Sequence, residues 1–369
     1  WQSPAQLAGL LQFRSAVAWG GGLLLSTNRR IAMKKTLTVL SLALLAVTAA
    51  QAQEKVLNLY SARHYQTDER LYENFTKQTG IKINRIEGKE DELMERLRNE
   101  GANSPADVFI TVDATRLAVA DSYGLFAPVK SKLLESRIPA HLHTDTWFAF
   151  STRARVIIYN RSAVKAEDVQ TYASLADPKL KGKVCSRSGA HPYNLSLVAS
   201  LIAHDGEAKT EEWAKGVVAN FARAPKGGDT DQIKSVAAGE CGVAVSNTYY
   251  LARLIRSDKV EDRRMMERVG IVWPNQANRG THINISGAGM VKTAKNPEAA
   301  VKFLEYLASD EAQRYFADGN NEWPVVPSVA TNNPALEAMG KFKADELPIG
   351  NLARNVAVAQ KLLDRAGYR

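Results

Sequence analysis

Val56-Leu-Asn-Leu-Tyr60-Ser-Ala-Arg-His64-Tyr65-Gln-Thr-Asp68-Glu-Arg-Leu71-Tyr-Glu-Asn-Phe75-Thr-Lys-Gln-Thr-Gly80 reads as one strand-then-helix unit. Val56–Tyr60 is a short apolar strand. Thr67-Asp68-Glu69 opens a helix whose Leu71 and Phe75 share a face at i, i+4, and Gly80 stops it. The rhythm repeats downstream. Ile81–Ile86 reads as a strand, Glu90–Glu100 as a helix with Leu93 and Leu97 on one face, Ala106–Thr111 as a buried strand and Ala114–Tyr123 as a helix ending at Gly124. Such alternation implies a parallel sheet covered by helices. Trp147–Phe150 and Val156–Tyr159 read as two strands, after which the pattern restarts. It runs through a strand at Lys183–Ser186, helices at Asn194–His204, around Glu211–Phe221 and at Asp231–Ala238, and strands at Cys241–Ser246 and Ile283–Val291. A single amphipathic helix is expected over Pro297–Phe316, burying Ala300, Phe303, Leu304 and Leu307. The expectation is an α/β chain of two lobes, with crossing connections near Ser151–Arg155 and around residues 274–283.

The N-terminal region reads differently. Met33-Lys34-Lys35, the apolar run Leu37–Ala50 and Ala50-Gln51-Ala52 have the anatomy of a secretory signal peptide. Residues 1–32 are expected to be a mis-set start or an extension, 33–52 the signal peptide, and Gln53 the mature N-terminus. The apolar run is short for a membrane span, and no second one follows in the mature chain. Residues 1–52 carry five basic residues and no acidic ones, so the mature chain has 43 basic against 39 acidic residues and a net charge of +4 rather than +9. No long Lys/Arg run is present, and a nucleic-acid role would want a concentrated basic face. The 317 remaining residues suffice for two lobes of ordinary domain size.

Tyr65, Tyr193, Tyr249 and Tyr250 each follow a strand-like run, the place where open α/β sheets bind ligands. A phenol, with a pKa near ~10, is a poor ligand for zinc or magnesium at neutral pH. It suits ferric ion, a hard trication able to displace its proton. On residue pattern alone packing is the leading reading for Tyr249 and Tyr250, and it is the reading preferred for Tyr72, Tyr159, Tyr172, Tyr306 and Tyr315. Cys185 precedes Tyr193 by eight residues and Cys241 precedes Tyr249 by eight. A bridge between them on neighbouring parallel strands would hold two candidate ligands at one height; the other reading is two buried thiols. His141, His143, His204 and His282 are scattered and expected to be solvated, and His191 stands two residues before Tyr193.

Four segments carry a family resemblance: Tyr60-Ser-Ala-Arg-His64-Tyr65, Arg153-Ala-Arg155-Val-Ile-Ile-Tyr159-Asn, Tyr193-Asn-x-Ser-Leu-Val and Asn247-Thr-Tyr249-Tyr250-x-x-Arg253. The chain resembles, over residues 55–369, the periplasmic ferric-ion-binding proteins of bacterial iron ABC importers, within the type II solute-binding fold. That resemblance implies two lobes, each a mixed sheet flanked by helices, with a ligand cleft between them. Lobe 1 would hold residues 53–153 plus about 276–328, and lobe 2 residues 154–275 plus about 329–369. It implies one Fe(III), carried as cargo and bound by His64, Tyr65, Tyr193, Tyr249 and Tyr250, with carbonate or another synergistic anion as a further option. The partner would be an inner-membrane ABC iron permease in a Gram-negative envelope, and the chain a monomer. Four phenolates and a neutral histidine around Fe(III) leave a net charge of minus one, which needs a counter-charge. Arg253, one helical turn past Tyr249, is the expected partner, with Arg153, Arg155 and Asn247 as further supporting residues.

An enzyme is the competing class. No Gly-x-Ser-x-Gly elbow, Walker loop, His-Glu-x-x-His or Cys-x-x-Cys is present, and Gly287-Ala-Gly289 is too short for a dinucleotide fingerprint. No catalytic residue is expected. The closer alternative is a sister solute-binding protein for a small organic cation or an oxyanion. An aromatic cage for a cation wants Trp with acidic partners, whereas Tyr with Arg stands here. An oxyanion suits the arginines but leaves the tyrosines without a task.

Overall fold

The protein is described by a computed structural model that covers residues 55–63 and 65–369. The readings of residues 1–32, of the signal peptide at 33–52, of Gln53 and of His64 fall outside the described residues.

The first half builds β1 (Val56–Ser61), α1 (Asp68–Thr79), β2 (Lys82–Glu87), α2 (Glu90–Glu100), β3 (Val108–Thr111), α3 (Ala114–Ser122), α4 (Lys132–Arg137) and β4 (Trp147–Asn160). β5 (Val184–Cys185), α5 (Pro192–Asp205), α6 (Glu207–Ala219), α7 (Asp229–Ala238), β6 (Val243–Asn247) and α8 (Thr248–Ile255) follow. The chain ends through α9 (Val260–Glu267), β7 (Val269–Val272), β8 (Ile283–Met290), α10 (Pro297–Leu307), α11 (Asp310–Asn320), β9 (Trp323–Pro324), α12 (Pro334–Met339) and α13 (Gly350–Ala366). The strands lie in the order β2-β1-β3-β8-β4-β6-β5, with β7 and β9 also paired to β4. β1 is parallel to β2 and β3, and β5 to β6, while β8 and β4 run antiparallel to their neighbours. The sheet is therefore mixed. Among the described residues no helix is long and apolar enough to cross a membrane.

β4 joins the two halves of the sheet. Its first part pairs with β8 as far as Ala154↔Ile283, and from Arg155↔Asn247 onward it pairs with β6 and β7. The sequence reads as two strands separated by Ser151–Arg155, but the structure has one continuous 14-residue strand, buried at every position. The polar gap was read as a connection because burying it requires partners that sequence does not show. Ser151 and Arg153 both find Glu322, and Arg155 finds Asp229. The return crossing lies between β7 and β8, at residues 273–282.

The long helix expected over Pro297–Phe316 is two helices. Ser309 breaks it and caps α11, its hydroxyl accepting from the Ala312 N–H at 3.3 Å. The Ser-Asp-Glu signal for that cap was present in the sequence. Ala300, Phe303, Leu304 and Leu307 are fully buried, as their spacing predicts. Gly287 and Gly289 do packing work in β8: an added Cβ would come within 2.7 Å of Leu117 and 2.5 Å of Phe126.

Cys185 and Cys241 form a buried disulfide, with Cα atoms 5.7 Å apart. The strand partner of Cys185 is Ala244, so Cys241 stands just ahead of β6 rather than opposite Cys185 in register. The bridge still ties the end of β5 to the residues just ahead of β6, the two strands that lead to Tyr193 and Tyr249. Removing it through Cys185→Ser/Cys241→Ser should lower stability by about 4 kcal/mol, from the loop it closes. Urea unfolding of the two proteins checks this.

Candidate metal centre

Tyr193 and the pair Tyr249–Tyr250 do not end strands. They occupy the first turns of α5 and α8, directly after β5's loop and β6. The Tyr193 and Tyr249 hydroxyls meet at 3.1 Å, and the Tyr249 and Tyr250 rings lie 4.2 Å apart. Tyr65 arrives from the other half of the sheet, on the loop after β1. That loop is clasped at its base, where Arg63 Nε and Nη2 donate to the two carboxylate oxygens of Asp68 at 2.7 and 3.1 Å. The four phenols lie close enough for the charge of one to act on another. Burial, reinforced by Glu322, pushes Tyr65 up to about 12. Burial and the neighbouring tyrosines push Tyr193 and Tyr249 well above the ordinary phenol range. Without a cation these three phenols are neutral at pH 7.

Among the described residues no three histidine, cysteine or carboxylate side chains are grouped as a metal site would need. Tyr193 also faces a cleft of about 870 Å³ bordered by Glu90, Val112 and Arg116 on one side and by Ser188 and His191 on the other. His191 caps α5. Its Nδ1 accepts from the Tyr193 N–H at 3.2 Å, and its ring stands edge-on to Tyr193 at 4.6 Å. Burial, with Arg187 and Arg155 nearby, lowers its pKa to about 3, so the ring is neutral and can serve as that acceptor.

The arginines near the phenols differ in how far they are withdrawn from water. Arg253 is exposed, its guanidinium 6.0 and 5.8 Å from the Tyr249 and Tyr250 ring centres. Arg153 is fully buried, 5.9 Å from the Tyr193 ring centre. Its Nη1 donates to Ser286 Oγ at 2.8 Å and to Glu322 at 3.4 Å, while Nε and Nη2 have no hydrogen-bond partner among the described residues. The i+4 spacing that suggested Arg253 is right for a helix surface, but it says nothing about which arginine is dry.

Arg155 is also buried, 6.0 Å from the Tyr193 ring centre. It donates to Asp229 at 3.0 Å, to Asn247 Oδ1 at 3.1 Å and to Asn194 Oδ1 at 2.8 Å. Arg187, 5.1 Å from the same ring, donates to the other oxygen of Asp229 at 3.0 Å. Burial alone would raise the Asp229 pKa, but the two arginines and the Asn247 N–H hold it below the usual carboxylate range. Glu322 accepts from Ser151 at 2.7 Å and from Arg63 at 3.2 Å, besides Arg153. Sequence reading missed Arg63, Arg187, Asp229 and Glu322. Arg63 and Arg187 sit within the tyrosine-bearing segments and were findable; the two isolated carboxylates carry no local signal. Tyr172 and Tyr306 serve packing, donating to the Arg155 and Leu71 carbonyls. His282 is not solvated: it is buried with Nε2 3.1 Å from Ser196 Oγ, and burial lowers its pKa to about 4.

Residues 70–346 match the family model of bacterial extracellular solute-binding proteins. The chain is 50% identical over 327 residues to iron uptake protein A1 of Synechocystis sp. PCC 6803, covering 88% of this chain and 90% of that one. A solved structure of Trichodesmium FutA (IdiA) in complex with iron and citrate superposes with a TM-score of 0.82 at 52% identity, over 85% of this chain and all of that one. The ferric binding protein of Campylobacter jejuni gives 0.80 at 45% identity, with 85% and 100% coverage.

Glu322 serves two buried arginines, so Glu322→Gln should destabilise the protein by about 3–5 kcal/mol. Glu92→Gln, which breaks an exposed pair with Lys89, should change stability by under about 1 kcal/mol. Urea unfolding separates the two.

Proposed function

The chain belongs to the bacterial extracellular solute-binding proteins, and from that premise we propose that it captures one Fe(III) in the periplasm and delivers it to an inner-membrane ABC permease. The observation that carries this reading is the gathering of Tyr65, Tyr193, Tyr249 and Tyr250 beside a dry arginine with open donors. Phenols pushed upward by burial are costly to ionise for a weak Lewis acid and worthwhile only for a strongly charged, oxygen-seeking ion. Tyr65, Tyr193, Tyr249 and Tyr250 are the phenolate ligands, and His64 completes a set of five. A complete set of protein ligands suits transport rather than turnover. Relatives named as iron uptake and ferric binding proteins, matched over nearly their whole length, support the same cargo.

Arg153 supplies the counter-charge to an anionic ferric–phenolate centre. Its open Nε and Nη2 also suit a small oxyanion completing the coordination, and a carbonate or hydroxycarboxylate is the expected chemistry. The lobes divide between residues 53–153 with about 276–328 and residues 154–275 with about 329–369. This division is supported by the change of β4's partners at Ala154/Arg155. An organic cation is disfavoured, because Arg153, Arg155 and Arg187 surround the Tyr193 ring.

Titrating apo-protein with a ferric chelate should produce a phenolate charge-transfer band saturating at one equivalent, and Tyr249→Phe/Tyr250→Phe should abolish it. No band in intact parent protein would sink the ferric reading in favour of an oxyanion or organic ligand. The pH dependence follows from the same site. Tyr65, Tyr193 and Tyr249 hold their protons more tightly than in water, so protons compete with iron and affinity falls as pH falls. The expected slope is on the order of one decade per pH unit for each phenol deprotonated, read by competition with a chelator of known pH behaviour.

A further inference from the structure

We infer that Asp229, with Arg155 and Arg187, is a buried clamp that positions the second-lobe phenols and sets the charge around Tyr193. The inference rests on the ferric reading of the site. Asp229 touches no phenol itself. It reaches the start of one tyrosine-bearing helix directly and the other through its two arginines. Oδ2 accepts from the Asn247 N–H at 2.8 Å, and Asn247 is the residue that opens α8 two positions before Tyr249. The same oxygen accepts from Arg155 Nη1 at 3.0 Å, and Arg155 reaches on to Asn194 Oδ1, the residue following Tyr193 in α5. Oδ1 holds Arg187, whose backbone carbonyl in turn accepts from Asn194 Nδ2 at 3.2 Å. One carboxylate thereby fixes the relative placement of the helix ends whose hydroxyls meet at 3.1 Å.

The charge argument is separate from the geometric one. Arg155 and Arg187 stand 6.0 and 5.1 Å from the Tyr193 ring centre. Pinned there by Asp229, they hold two guanidinium groups beside the ring of Tyr193. Asp229 also cancels part of their field, which keeps the empty site from holding two uncompensated buried cations. Groups that orient and bias metal ligands from behind are worth about 10–100-fold in metal affinity when removed.

The test compares parent, Asp229→Asn and Arg187→Gln in the full mature chain. Each is loaded with one equivalent of Fe(III) from a citrate chelate, then challenged with an excess of a stronger chelator. Asp229→Asn should lose iron about 10–100-fold faster than the parent, and its charge-transfer maximum should move. Arg187→Gln removes a partly exposed arm and leaves the Arg155–Asp229 pair intact, so it tests the clamp if Asp229→Asn fails to fold. It should show a smaller shift in the same band. A parent band with both variants matching it in position and in iron-loss rate overturns the clamp, even if their melting temperatures fall. A parent with no band overturns the ferric reading and the clamp with it.

Discussion

Two arginines cannot be buried on one strand without a carboxylate each, and that requirement organises the middle of this molecule. Arg153 and Arg155 are two residues apart on β4, so their side chains leave the same face of the sheet. They stand on either side of the point where the strand passes from β8 to β6. Each is neutralised from its own side: Arg153 by Glu322, which follows α11, and Arg155 by Asp229, which opens α7. An unpaired guanidinium in such a place would be prohibitive. The pairing pins two distant segments against one strand, and the phenols lie beside this platform.

The platform also explains how a site can be assembled from neutral groups and still await a trication. Tyr193 and Tyr249 are buried against each other, and their pKa values are raised mainly by loss of water. Arg153 works against that rise at each of them and at Tyr65. Burial thus suppresses spontaneous ionisation, while the arginine lowers the cost of ionisation once a cation compensates. Neither effect alone would give a centre that is neutral when empty and anionic when filled.

Much of this was legible in the sequence. The strand and helix alternation and the cysteine pair follow from local signals: period, capping, spacing and residue chemistry. The family resemblance singled out the tyrosines, and the fold brings Tyr193 and Tyr249 into contact. The failures share a physical cause. Ser151–Arg155 read as a break because polar residues inside a strand become plausible only when their partners are known, and those partners lie 171 and 74 residues away. That Arg253 is exposed and Arg153 buried was not legible, because helix spacing is visible in sequence and desolvation is not. Tyr249 and Tyr250 follow the expected strand, but the helix that Asn247 opens around them is a one-residue transition that composition does not mark. The break at Ser309 lies beneath an apolar pattern that keeps its helical period across it.

The pairing of the buried arginines bears on which oxidation state the site would keep. Under the ferric reading, Fe(III) with four phenolates and a neutral histidine carries a net charge of minus one, and Fe(II) in the same shell would carry minus two. Arg153, Arg155 and Arg187 each keep an unpartnered Nε, yet each has committed a donor to a carboxylate: Arg153 to Glu322, Arg155 and Arg187 to Asp229. Little positive charge is therefore left over to offset excess negative charge at the phenols. A second excess negative charge in a low-dielectric setting would be relieved by re-protonating a phenol, and buried tyrosines with raised pKa values take that proton readily. Loss of one phenolate weakens every argument for retaining a divalent ion among hard oxygen donors. The same burial that makes the phenols reluctant to ionise thus biases the centre toward holding iron as Fe(III) and loosening its grip on Fe(II).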